Sequence, residues 1–144
     1  MNAQVEVLAE GAGHKVPTGF VDRHLLLVVQ AEDAMGRPLA ALAGPRLPTL
    51  AGKPLAGKPG KIYAKLLKDA DGNRPAPFWN ADPEPEDTRL IPGRPNRSFY
   101  LFPASTCQVR IRVLYRRYWH EVAVTKGWED NEIAVDEQTV ECRE

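Results

Sequence analysis

Eleven of the thirteen prolines in this 144-residue chain fall between Pro38 and Pro95. Proline has no N–H to give to a helix or a sheet ladder, and it pushes the residue before it out of helical backbone. The middle of the chain is therefore barred from long regular elements. Any extended sheet must come from the two flanks, joined by short pieces between the prolines.

The flanks read as strands. In "CQVRIRVLY", Cys107, Val109, Ile111, Val113 and Tyr115 alternate with Gln108, Arg110, Arg112 and Leu114, the period-2 pattern of a half-buried strand. "HLLLVVQAE" is a continuous apolar run closed by the turn "EDAMGRP", as expected for a strand buried on both faces. "QVEVLAE", "KIYAKLL", "RSFYLF" and "EIAVDEQTVEC" supply further short strands. One segment departs from the pattern: Tyr115, Tyr118, Trp119, Val122, Ala123 and Lys126 recur at helical spacing and Gly127 follows, which predicts a single helix over residues 116–126. The expected fold is all-β, an antiparallel, immunoglobulin-like β-sandwich with one short helix near the C-terminus.

A chain of this length buries roughly two-thirds of its unfolded surface, enough for one core, so residues 1–144 are expected to form a single domain. Nineteen basic and nineteen acidic side chains cancel. No global field draws the chain to nucleic acid or an anionic membrane, and no apolar run approaches the roughly 20 residues of a membrane span. "MNAQVEVLAE" has neither the basic head nor the apolar stretch of a signal peptide. The charge is nevertheless uneven. Thr88 to His120 holds seven arginines and no acid, and Glu121 to Glu144 holds eight acids against Lys126 and Arg143. Either the two regions are neighbours that neutralise each other, or the arginines face an anionic partner such as a phosphate, a carboxylate or a haem propionate.

Few motifs carry chemistry. "DADGN", Asp69 to Asn73, opens like a calcium loop, but Arg74 stands at the position that needs glycine, so a plain turn is expected. "DPEPED", Asp82 to Asp87, reads as a solvated acidic loop. No nucleophile elbow and no phosphate loop is present; a non-catalytic role is the expectation, and the enzymatic alternative is a stand-alone metal-dependent enzyme using His14, His24 and a carboxylate. Cys107 and Cys142 are too few for a disulfide scaffold; they form either one bridge between neighbouring strands or two free thiols. His14 and His24, with His120 or a carboxylate, are the candidate metal ligands, although no paired histidine spacing supports them. Trp79, Trp119 and Trp128 would serve a ligand-binding sandwich if its loops exposed them.

"GAGHKVPTGFVDRH" places His14 in a turn shaped by glycines and Pro17, just before the apolar strand. It has two readings. In one, the imidazole bonds a loop carbonyl or Asp22 and is structural. In the other, the flanking glycines present it at an exposed tip, Arg23 braces the turn through loop carbonyls or Asp22, and a ring nitrogen reaches a metal ion that the domain does not itself enclose.

That turn, then "DAMGRP", "YAKLLKDADGN", "DTRLIPGR" and "VLYRRYWHEVAVTKGW", in this order, resemble the non-haem β-rich domain of multihaem c-type cytochromes, from about Val5 to Ile133. The resemblance implies that the chain is either a fragment of a larger exported, periplasmic cytochrome, the expected case, or a stand-alone relative with no haem of its own. It would be an accessory module with a haem-bearing domain or redox partner protein as its neighbour, and His14 would be its haem-ligand or haem-contact residue. The chain departs from those cytochromes in one respect: it has no Cys-x-x-Cys-His, so haem c is expected in the parent protein and none is bound by this chain alone.

Overall fold

The computed structural model describes residues 1–142. Among these residues nine strands and one α-helix follow in the order β1 (Asn2–Val7), β2 (His24–Glu32), β3 (Pro38–Leu39), β4 (Gly60–Tyr63), β5 (Lys65–Leu66), β6 (Glu86–Asp87), β7 (Asn96–Leu101), β8 (Gln108–Arg116), α1 (His120–Lys126) and β9 (Glu132–Glu141). All pairings between them are antiparallel, and the fold is the expected all-β, sandwich-like one with a short helix near the C-terminus.

The apolar run of β2 makes it the central strand. It pairs with β8 along one side, from His24–Arg116 to Glu32–Gln108, and with β3 and β4 along the other. β8 then pairs with β9. Because side chains alternate, the two faces of β2 enter different cores. Leu25, Leu27, Val29 and Ala31 meet Val5 of β1 and Tyr100 of β7, which form a two-stranded ribbon over that face. Leu26 and Val28, with Leu114 of β8, are covered by Leu47, Ala51 and Leu55 from the proline-rich loop. The loop that cannot form a strand thus does the work of a second layer. β4 opens at Gly60, whose backbone lies so close to the Leu27 carbonyl that any side chain would strike it.

Three expectations need correction. The helix begins at His120, not at residue 116, because Tyr115 and Arg116 complete the β8 ladder to both β2 and β9 and so cannot leave it. "KIYAKLL" is interrupted at Ala64, which separates β4 from β5. "DPEPED" is not wholly loop: Glu86 and Asp87 pair with Leu66 and Lys65 as β6.

Candidate functional site

The stretch from Gly11 to His24 carries its two histidines into opposite environments. Val16 exchanges backbone hydrogen bonds with Leu90, at 2.9 and 2.8 Å, and Pro17 beside it is buried. The Lys15 ammonium meets Asp87 Oδ2 at 3.0 Å, and Arg89 Nη2 reaches the same oxygen at 2.8 Å. Hydrogen bonds from Arg89 and then Lys15 hold the Asp87 carboxyl well below the usual carboxylate range. The loop is pinned at residues 15–17, and the segment before it projects. His14 is exposed there, and its one hydrogen bond among the described residues runs from Nδ1 to the Lys15 carbonyl oxygen at 3.2 Å.

Arg23 does meet the turn, but not through carbonyls. Its guanidinium lies along Gly19, where a side-chain carbon would come within 2.6 Å of Nη1. Gly19 has φ of 91°, a left-handed backbone that favours glycine, and a side chain there would also displace the Arg23 guanidinium. Among the described residues the Arg23 side chain makes no hydrogen bond; its backbone N–H donates to the Phe20 carbonyl at 3.0 Å. Gly11 shares the left-handed backbone at φ 69°, whereas Gly13 does not. The same loop presents Phe20, which packs edge-on against Phe78, with Trp79 edge-on beyond it. All three are exposed, Trp79 to 76%.

His24 is fully buried at the start of β2. Its ring stacks on Trp119, with centroids 4.4 Å apart and planes 16° apart, and Nδ1 donates to the Asp22 carbonyl at 2.7 Å. That bond fixes the tautomer, and it leaves Nε2 buried with no partner among the described residues. Burial, assisted by the charge of its cross-strand neighbour Arg116 and opposed by the Asp22 bond, lowers its pKa to about 4. Burial likewise raises the Asp22 carboxyl, with the Trp119 side chain opposing. His24 is therefore a neutral structural ring. His120 sits against the backbone of Gly52.

The expected metal ligands are not brought together. Among the described residues no three His, Cys, Asp or Glu side chains could hold a metal ion, for His14 stands in solvent while His24 is sealed in the core. Cys107 and Cys142 are neighbours at the ends of β8 and β9, where the Cys142 N–H donates to the Cys107 carbonyl at 2.8 Å, yet both thiols are free. Cys107 Sγ turns toward the Ser105 carbonyl, 3.7 Å away, and Cys142 Sγ toward Met1 Sδ, 3.0 Å away. Of the three indoles, Trp79 and Trp128 are exposed and Trp119 is not. The arginines and acids do meet: Arg110 pairs with Glu137 at 2.6 Å and Arg116 with Glu132 at 2.7 Å across β8 and β9. Arg112, between them, finds only the neutral Gln30 amide, at 2.9 Å.

Neither protein-family models nor curated proteins give a match to the chain. Among solved structures, a penta-heme cytochrome c552 from Thermochromatium tepidum superposes with a TM-score of 0.74 at 25% sequence identity, over 98% of this chain. The chain spans only 36% of the length of that cytochrome chain. Across nearly its whole described length, then, this protein has a multihaem-cytochrome-related fold.

Proposed function

We propose that residues 1–144 are a single accessory, non-catalytic module of a multihaem c-type cytochrome, serving electron transfer outside the cytoplasm. In this reading the module docks on the haem-bearing part through the end of the sandwich that carries His14. The observation that carries the proposal is the fold shared with a penta-heme cytochrome. A pinned turn holding an exposed imidazole supports the choice of that end. Phe20 in the same loop, packed with exposed Phe78 and Trp79 of a second loop, adds apolar surface of the kind that marks interaction sites.

The chain's own residues support an outward role toward haem rather than attachment of one. With no Cys-x-x-Cys-His they form no thioether link, and the two free cysteines lie at the far ends of β8 and β9 rather than beside a histidine pair. Haem supplies the redox chemistry; this chain contributes the imidazole of His14, the turn that Arg23 and Gly19 shape beneath it, and cover for an exposed edge. The finer kinship of the sandwich, immunoglobulin-like, belongs to the same proposal. Replacing His14 by Ala in the full-length parent should change the spectrum or midpoint potential of one haem and leave the others as they are. Unchanged haems throughout, or a reading frame and neighbourhood without any Cys-x-x-Cys-His, would remove the proposal's support.

The exposure of Trp79 and its two phenyl neighbours favours a second reading, a ligand-binding sandwich taking a sugar or peptide on that surface. Quenching or a blue shift of Trp79 fluorescence on adding such a ligand would favour it over docking.

A further inference from the structure

On the opposite face of the sheet from the β1–β7 ribbon, α1, the proline-rich loop and β8 enclose a cleft of about 430 Å³. Its floor is Arg112, Leu114 and Arg116, and its walls include Leu55, His120 and Trp128. The volume lies within the range of small-molecule sites. Apolar surface and a few polar groups are combined as such sites require.

The charges on the floor are not alike. Arg116 is buried and already satisfied, with Nε on Glu132 at 2.7 Å and Nη1 on the Ala51 carbonyl at 2.6 Å. Arg112 is half-buried and carries no ion pair with any described carboxylate, although Glu137 stands directly opposite it on β9. Glu137 gives its carboxylate to Arg110 instead. Arg112 Nη2 donates to the Gln30 amide oxygen, and its Nε is buried with no partner. Arg112 is thus incompletely satisfied, and an anion at the exposed part of its guanidinium would complete it.

We infer that this cleft binds a small organic monocarboxylate with an apolar body, its carboxylate on Arg112 and its body between Leu55, Leu114 and Trp128. The fork of a guanidinium matches a carboxylate in two parallel hydrogen bonds. His120 lines the wall. A dianion such as phosphate fits less well, because Glu129 and Glu132 line the same cleft and repel the second charge. The inference is independent of the cytochrome reading, since the cleft is formed wholly by this chain.

The test is a titration of the 144-residue protein with 4-phenylbutyrate, followed by NMR at the Arg112 Nε–Hε, His120 ring and Trp128 indole signals. Saturable shifts confined to these groups are expected. The neutral amide 4-phenylbutyramide and inorganic phosphate should each bind at least about tenfold more weakly. Arg112→Gln should weaken 4-phenylbutyrate by a similar factor, and Trp128→Ala, an exposed change, gives a second variant should the first fail to fold. Equal binding of the acid and the amide, undiminished binding in either variant, or shifts that do not saturate would overturn the assignment.

Discussion

His14 and His24 stand ten residues apart in one segment, yet the fold uses them for opposite purposes. His14 is exposed on a turn anchored by its neighbours, Lys15 to Asp87 and Val16 to Leu90, and depends on nothing beyond one carbonyl. His24 is enclosed by the sheet, stacked on Trp119 and bonded to the Asp22 carbonyl. The difference teaches that residue type did not decide the role. Position relative to β2 did: His24 is the first residue of the central strand and inherits its burial, whereas His14 lies outside the ladder.

The contrast can be broken most forcefully at Trp119. It is buried to 5% exposure, packs with Ala64 and Leu66, and forms one side of the His24 stack. Trp119→Ala should cost about 4 kcal/mol, from the lost transfer energy and the cavity left behind. Denaturant unfolding measures it, and a loss near 1 kcal/mol would mean that the stack contributes little. Acid should sharpen the contrast next. The folded state holds His24 near pKa 4 against an ordinary value of 6.5, so the unfolded chain binds the proton more tightly. Stability from this group is therefore complete above about pH 6.5 and is lost as the pH falls toward 4, by about 3 kcal/mol over the full window. Replacing His24 with Gln should flatten that slope, and a slope unchanged in the variant would assign it to other groups.

How much of this was legible in the sequence follows from the range of the forces involved. β2 and β8 were, because burial on two faces and on one face leaves a continuous and an alternating pattern that needs no partner to be read. β3 and β6 were not. Each is two residues long, one begins at Pro38 and the other follows Pro85, and pairing alone makes them strands. The helix is legible but its start is not, because the helical period begins at Tyr115 while the ladder holds Tyr115 and Arg116 in β8. Local spacing located the His14 turn, and its glycines carried the signal. The burial of His24 under Trp119, the pairing of Asp87 with Lys15, and the solitary charge of Arg112 are contacts between distant segments, and nothing in the local pattern encodes them. For the exposed aromatics a signal existed in "PAPFWN", where Pro75 and Pro77 keep Phe78 and Trp79 out of any strand or α-helix.

The smallest effect is expected at the other histidine, and it is the one that bears on function. His14→Ala removes an exposed ring whose one hydrogen bond goes to the adjacent carbonyl, so it opens no cavity and strands no buried partner. The turn is fixed by Val16, Pro17 and the Lys15–Asp87 pair, none of which contains His14. The stability of the isolated chain should stay within about 0.5 kcal/mol of the parent sequence, the range of surface substitutions that touch no special feature. A residue that the fold does not need is free to serve a partner, which is why the near-zero result and an altered haem in the full-length protein belong together. If the isolated chain instead lost about 2 kcal/mol or more, as when a buried hydrogen-bonded group is removed, His14 would be structural like His24. The distinction between the two would then disappear, and the docking role of this turn with it.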